Sequence, residues 1–445
     1  MMTLAELANV VGGILCGVNR PFGNVSIDTR SLEHSDLYIA LKGDSFDGHD
    51  FVEAAVQNGA AAVMVQHEVD AAIPAILVEN TLVALQKLAI DWRKRFNIPV
   101  IAVTGSCGKT TTRALLEAIF SQQGKTVASE KSFNNHIGVP LTILKIRDED
   151  QFAILEMGMN HAGEITPLSI MAEPTVAIIT CVAPVHLEAL GSLENIAKAK
   201  AEIFEGLKED GTAVINNDDD FAEYFKKIVK NKKQLTFGIN NLADVTAKNI
   251  HLDERRHSHF TLCTKQGEIE IQLALLGEHN IYNALAAAAG AVTQNISLEK
   301  IKAGLESVTE IDRRLLELRG LNGAVIIDDS YNANPASVRA AIDILSSRGG
   351  ESILVLGDML ELGEQKNFYH QQIGQLAQQS GIAHLFCYGD LSRFAAESFG
   401  TNAYHFSEQS DLLAALKPLL KAQSTVLVKG SNGMKMNNIV KALVE

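Results

Sequence analysis

Apolar positions along this chain cluster in short runs, and helix-length amphipathic segments separate them. Residues 37–41, 60–65 and 75–78 read as buried strands, and residues 3–11 as an opening helix. The stretch from Lys42 to His49 reads as a turn. A second series begins with a helix over 82–95, a strand over 100–103 and a helix from about 110 to 120. Further strands are predicted at 153–155, 176–179 and 213–215. A third series places strands at 324–327, 353–356, 385–388 and 426–428, with helices over 335–345, 369–379 and 410–419. Apolar strands alternating with helices argue for parallel sheets covered on both faces.

The pattern predicts an α/β protein of three domains. Residues 1–80 form a small mixed α/β domain and residues 81–312 a central parallel-sheet domain. Residues 313–445 form a Rossmann-like, doubly wound domain. A length of 445 residues fits about three domains.

Composition narrows the function class. Hydrophobic residues make up 47% and charged residues 21%, as in ordinary globular proteins. The net charge of −14 argues against nucleic-acid or anionic-membrane binding, which need a positive field. A local basic cleft for a small anion stays compatible with it. No apolar run is long enough to span a bilayer, and residues 281–292 read as a buried helix. The first basic residue is Arg20, so no charged signal-peptide region is expected. The five cysteines are odd in number and form no CxxC pair, which disfavours zinc and disulfides. A reducing, cytoplasmic location is expected.

The strongest chemical signal is Thr104-Gly-Ser-Cys-Gly-Lys-Thr-Thr-Thr112, between a predicted strand and a predicted helix. Gly105 and Gly108 let backbone N–H groups turn toward a phosphate, and the helix N-terminus adds its dipole. Ser106, Cys107 and Thr111 lie within the same loop. Lys109 would reach the β/γ-phosphates, and Thr110 would ligate Mg²⁺. Val103 stands where the longer motif has its first glycine, so this is the short GxxGKT form. Glu156 ends a predicted strand and would sit beside the loop, placed to hold Mg²⁺. No NKxD motif is present, which disfavours a GTP switch.

Three further features leave two readings each. His186 follows a strand and is either a metal or phosphate ligand or a packing residue. Lys200 shares a helical face with Ile196, Ile203, Phe204 and Leu207 within a helix over 196–207. Its stem should point inward, as a functional group or a snorkelling lysine. Asn280 and Asn283 lie one turn apart, to read a base edge or to cap the helix.

Together these residues resemble the Mur ligases of peptidoglycan synthesis, over essentially the whole chain. The resemblance rests on the 104–112 loop, Asn134-Asn-His-Ile-Gly-Val-Pro140, Glu156-Met-Gly-Met159, the His186 loop and Ala199-Lys-Ala-Glu-Ile-Phe204. Gly277-Glu-His-Asn280 with Asn283, Asp328-Asp-Ser-Tyr-Asn-Ala-Asn-Pro335 and Leu356-Gly-Asp-Met-Leu-Glu-Leu-Gly363 continue it. The last two stretches favour the member that joins D-alanyl-D-alanine to UDP-N-acetylmuramoyl-tripeptide. The resemblance implies ATP as co-substrate, an acyl-phosphate intermediate and two Mg²⁺ sites. It places UDP near Thr29, Arg30, Ser31, Lys42, Asp47 and His49. Asn135, Glu156 and His186 would surround Mg²⁺, together with Thr110 and a carbamoylated Lys200. It puts Asn280, Asn283, Arg314 and Asp329 on the nucleotide, and Asn332 and Asn334 near the substrates. Lys109, His186 and Lys200 become the catalytic candidates.

A monomer is expected. Two rivals are a folylpolyglutamate synthase-like ligase and a nucleotide-gated binding module without ligase turnover. Whether the tripeptide ends in meso-diaminopimelate or lysine is not written in these residues.

Overall fold

The computed structural model describes residues 1–43, 46–70, 72–130, 133–253 and 257–444. Asp44 and Ser45 of the predicted 42–49 turn lie outside the described residues.

The N-terminal sheet has five strands in the spatial order Ile14–Cys16, Ala75–Leu77, Ala62–Val65, Leu37–Ile39, Val25–Ser26. The first pair is antiparallel and the others are parallel. The helix Leu4–Val11 opens this unit on a capping box, with Thr3 and Glu6 satisfying each other's end of the first turn.

The central sheet is parallel and six-stranded. Its order is Lys233–Phe237, Thr212–Asn216, Val176–Ile179, Val100–Thr104, Phe152–Glu156, Thr126–Ala128. Alternate residues bury into opposite cores, Ala102 and Leu155 on one face, Ile101 and Ile154 on the other. Both faces are covered, so these strands read as continuous apolar runs. The Ala-rich helix His279–Thr293 packs on the second face.

Three features of this region depart from the sequence expectation. The outer strands Thr126–Ala128 and Lys233–Phe237 were not predicted. A three-stranded antiparallel sheet, Thr246–Leu252, His257–Thr264 and Gly267–Leu276, has no counterpart among the predicted elements. The predicted helix over 196–207 stops being α-helical at Ala201 and tightens into a 3₁₀ turn over Glu202–Phe204. Two side-chain contacts hold that turn. The Glu202 carboxylate accepts from the N–H groups of Gly163, Ile165 and Thr166, which lead into the helix Ile165–Ala172. The Ser169 hydroxyl donates to the Ile203 carbonyl at 2.5 Å.

The C-terminal sheet follows the order Leu316–Arg319, Val325–Asp329, Ser424–Lys429, Glu351–Gly357, His384–Tyr388, Ala403–Phe406. Only its first strand runs antiparallel. Ile327 and Leu354 face one core, and Ile326 and Ile353 the other, as in a doubly wound fold. Among the described residues no helix is long and apolar enough to cross a membrane.

Candidate active site

The site lies where the carboxyl ends of two parallel sheets face each other, the usual ligand position in open α/β folds. A cavity of about 640 Å³ separates them. The central sheet contributes Ser106, Cys107, Gly108, Lys109, Thr111, Glu156 and His186. Arg314, Asp329, Asn332 and Asn334 line the opposite wall, and Asn280 and Asn283 also line the cavity.

The loop after the strand Val100–Thr104 is held by close approach. A Cβ on Gly105 would stand 1.8 Å from Thr180 Oγ1, and one on Gly108 would stand 2.1 Å from Asn283 Oδ1. Gly108 also has φ of 81°, which favours glycine, and it caps the helix Lys109–Ser121. Lys109 folds over the loop and donates from Nζ to the Gly105 carbonyl at 2.7 Å. Thr110 is buried, and its hydroxyl accepts from Arg314 across the cleft at 3.2 Å.

Glu156 ends the strand next to the loop, in register with Val103. Asn134 donates to its Oε1 at 2.8 Å, while Oε2 is buried with no hydrogen-bond partner. A buried, half-satisfied carboxylate on a cavity wall suits a hard cation such as Mg²⁺. Asn135 is turned to another task. Its side-chain oxygen accepts from the N–H groups of Ile137 and Gly138, at the start of the helix Gly138–Ile143. The neighbouring Asn134 lines the cavity and is the amide that touches Glu156. Among the described residues no group of three His, Cys, Asp or Glu side chains is clustered for a metal.

His186 has φ of 52° and pairs through Nδ1 with the Glu361 carboxylate of the opposite wall. That pairing holds the Glu361 carboxyl below the usual range. Lys200 does not line the cavity, yet it is only 2% exposed and has no ion-pair or hydrogen-bond partner among the described residues. Burial, and then the charge of Lys109, push its pKa down to about 7. A side chain this buried does not carry its amine out to water, so the snorkelling reading does not hold.

Asn280 and Asn283 divide their capacity. Asn283 donates to Asn280 Oδ1 at 2.8 Å, and Asn280 donates to the Leu276 carbonyl at 2.7 Å. On the opposite wall, Asp329 ends its strand in register with Lys429. Lys429 is 3% exposed and donates to Asp329 at 2.5 Å and to the Asn332 carbonyl at 3.0 Å. Asn334 caps the helix Pro335–Ser346 through a capping box with Ser337, and its amide donates to Cys107 Sγ at 3.3 Å. Sequence reasoning missed Asn134, Glu361 and Lys429. The first opens a recognised stretch, Glu361 lies inside another, and Lys429 stands just beyond a predicted strand.

Thr29, Arg30, Ser31, Lys42, Asp47 and His49 do not line this cavity. Arg30 is exposed and bonded to Asp28, and Lys42 lies 3.6 Å from Asp47. His49 is spent within its own unit. Its Nδ1 donates to Asp47 at 2.5 Å, and Nε2 accepts from the Gln66 N–H at 2.9 Å.

A phosphate loop on one sheet, faced by a basic and acidic wall from a second nucleotide-type sheet, defines a nucleotide-using enzyme that works in an interdomain cleft. The chain belongs to the Mur ligase family. It matches the Mur ligase family catalytic domain over residues 21–109, the Mur ligase middle domain over 103–291 and the Mur ligase glutamate ligase domain over 313–432. It is 38% identical to the UDP-N-acetylmuramoyl-tripeptide–D-alanyl-D-alanine ligase of Escherichia coli K12, covering 100% of this chain and 98% of that protein. Identity and coverage are the same against the Bacillus subtilis 168 ligase of that name. The crystal structure of MurF from Acinetobacter baumannii superposes with a TM-score of 0.91 at 33% identity, covering 98% of this chain and 97% of that one. Folylpolyglutamate synthase from Mycobacterium tuberculosis shares the fold alone, with a TM-score of 0.66 at 15% identity over 81% of this chain and 94% of that one.

Proposed function

We propose that this chain is an ATP-dependent, ADP-forming ligase that joins D-alanyl-D-alanine to UDP-N-acetylmuramoyl-tripeptide in peptidoglycan precursor synthesis. The observation that carries this reading is the cleft itself, with a phosphate loop and a half-satisfied Glu156 carboxylate facing Arg314 and Asp329. Full-length likeness to ligases of that name supports the substrate pair. The folate reading has fold similarity only.

The roles divide among three domains, 1–80, 81–312 and 313–445. The first holds the UDP end near Thr29, Arg30, Ser31, Lys42, Asp47 and His49. The second binds ATP, and the third closes over it. The tripeptide carboxylate attacks the γ-phosphate, ADP leaves, and the amine of D-alanyl-D-alanine displaces phosphate from the acyl phosphate. Lys109 neutralises charge on the transferred phosphoryl group. Glu156, Thr110 and His186 would hold Mg²⁺, Asn134 orients Glu156, and Lys200 joins the set as a carbamate. Bound Mg²⁺ supplies charge neutralisation at the phosphates. Asn280, Asn283, Arg314 and Asp329 bind the nucleotide, and Asn332 and Asn334 border the acceptor. Closure excludes water, which would hydrolyse an exposed acyl phosphate. The enzyme acts as a cytoplasmic monomer.

The test supplies ATP and Mg²⁺ with UDP-N-acetylmuramoyl-tripeptide and D-alanyl-D-alanine, and separately with folate and glutamate. Pentapeptide, ADP and phosphate in equal amounts are expected from the first mixture only. ADP release indifferent to both co-substrates would instead favour a nucleotide-gated module. Parallel reactions with meso-diaminopimelate and lysine tripeptides identify the third residue. Lys200→Ala should lose turnover, and short carboxylates should restore part of it. Full activity without rescue would refute the carbamate.

A further inference from the structure

Two cysteines meet at the phosphate loop, and the proposed ligase chemistry uses neither thiol. Cys107 lies in the loop, and Cys181 follows the strand Val176–Ile179. Backbone and hydroxyl contacts zip the two segments together on either side of the pair. Ser106 N–H donates to the Cys181 carbonyl at 2.8 Å, and the Thr180 hydroxyl donates to the Cys107 carbonyl at 2.5 Å. The Ser106 hydroxyl accepts from the Ala183 N–H at 2.9 Å. Cys181 Sγ itself reaches the Cys107 carbonyl at 3.7 Å. Both side chains are partly exposed and line the main cavity. Both also line a second cavity of about 360 Å³.

The surroundings favour a thiolate at Cys107. A hydrogen bond from Cys181 lowers its pKa most. Burial opposes the shift, while the Asn334 amide and the charges of Lys109 and Lys429 add to it. The Cys181 thiol is raised by the same contact and by burial. The contacts separate the two sulfurs in the same sense: Cys107 Sγ accepts from the Asn334 amide at 3.3 Å, whereas Cys181 Sγ is the donor in its contact with the Cys107 carbonyl.

We infer that Cys107 and Cys181 form a peroxide-sensitive modification site whose oxidation closes the phosphate loop to nucleotide. The Cys107 thiolate attacks one oxygen of hydrogen peroxide, the O–O bond breaks, and hydroxide leaves to be protonated as water. Cys107 becomes the sulfenic acid. The Cys181 sulfur then attacks the Cys107 sulfur. An S–S bond forms and the S–O bond breaks. The departing hydroxide takes the Cys181 proton as a second water. Two thiols and one peroxide yield one disulfide and two waters. The link pulls the Cys107 side chain toward Cys181 and away from Asn334, so the loop loses the geometry a phosphate needs.

The effect on nucleotide rests on the ATP-binding reading, while the chemistry of the pair does not. The test uses full-length protein with Cys16→Ser, because Cys16 is the exposed competitor. Hydrogen peroxide is added, and intact mass, peptide mapping and ATP affinity are read before and after dithiothreitol. A Cys107–Cys181 link is expected, with loss of ATP affinity that dithiothreitol restores. Cys181→Ser should stop at a sulfenic acid trapped by dimedone, and Cys107→Ser should form no link. ATP at about tenfold its Kd should slow oxidation by about tenfold. Cys107 remaining reduced at peroxide levels that oxidise Cys16 in the native chain would overturn the inference. A link that left ATP affinity unchanged would also overturn it. If untreated protein failed to bind ATP, the nucleotide reading would fall, while the mass readout would still decide the chemistry.

Discussion

The proposed chemistry turns on Lys109, Glu156 and Lys200, which were legible for different reasons. Lys109 sits in a motif whose spacing is dictated by phosphate geometry. Glu156 is marked by its place at the end of an apolar run. Lys200 is marked by inward spacing, although its neighbours Ile203 and Phe204 belong to a 3₁₀ turn rather than the predicted helix. Lys429 carries no comparable signal, since its partner Asp329 stands 100 positions away and only the parallel register joins them. Asn134 and Asn135 are equivalent by composition, and only the fold turns the first toward Glu156 and the second toward a helix end. Lys109→Ala removes one phosphate-facing charge and one hydrogen bond within the loop. Turnover should fall by about 10²–10³-fold with the unfolding midpoint nearly unchanged, as steady-state rates and denaturant titration would show.

Elements were legible where both faces of a strand are buried. The strands predicted for the central and C-terminal sheets therefore matched to within a few residues, whereas the outer strands Thr126–Ala128, Lys233–Phe237, Leu316–Arg319 and Ala403–Phe406 were not predicted. The antiparallel sheet was not, because one face is wet and its first strand, Thr246–Leu252, exposes most of its residues. One buried histidine also acts at this scale. His370 on the helix Lys366–Gln379 is fully buried and bridges the helix to the loop after the strand Glu351–Gly357. Its Nδ1 donates to the Lys366 carbonyl at 2.6 Å, and Nε2 accepts from the Met359 N–H at 3.0 Å. Burial lowers its pKa from the ordinary 6.5, so the folded ring resists a proton that the unfolded chain accepts. Its contribution to stability is full above about 6.5 and is lost as pH falls below that value. The stability advantage of native protein over His370→Gln should shrink between about pH 7.5 and about pH 5.5 in urea titrations. A constant difference would contradict this assignment.

At the scale of the molecule, one cleft joins two sheets. Arg314 reaches Thr110, His186 pairs with Glu361, and Asn334 touches Cys107. Each contact crosses from the phosphate-loop side to the C-terminal side, so the walls of the cleft are complete only when both are together. The net charge of −14 therefore describes the outer surface, while Lys109, Arg314 and Lys429 line the cleft. The central claim is that this cleft moves a phosphoryl group onto a peptide carboxylate before the amide forms. The most direct test labels the terminal carboxylate of UDP-N-acetylmuramoyl-tripeptide with heavy oxygen, runs the reaction with ATP and D-alanyl-D-alanine, and analyses the released phosphate by mass spectrometry. One heavy oxygen in each phosphate is the predicted result. Unlabelled phosphate accompanying pentapeptide would contradict it.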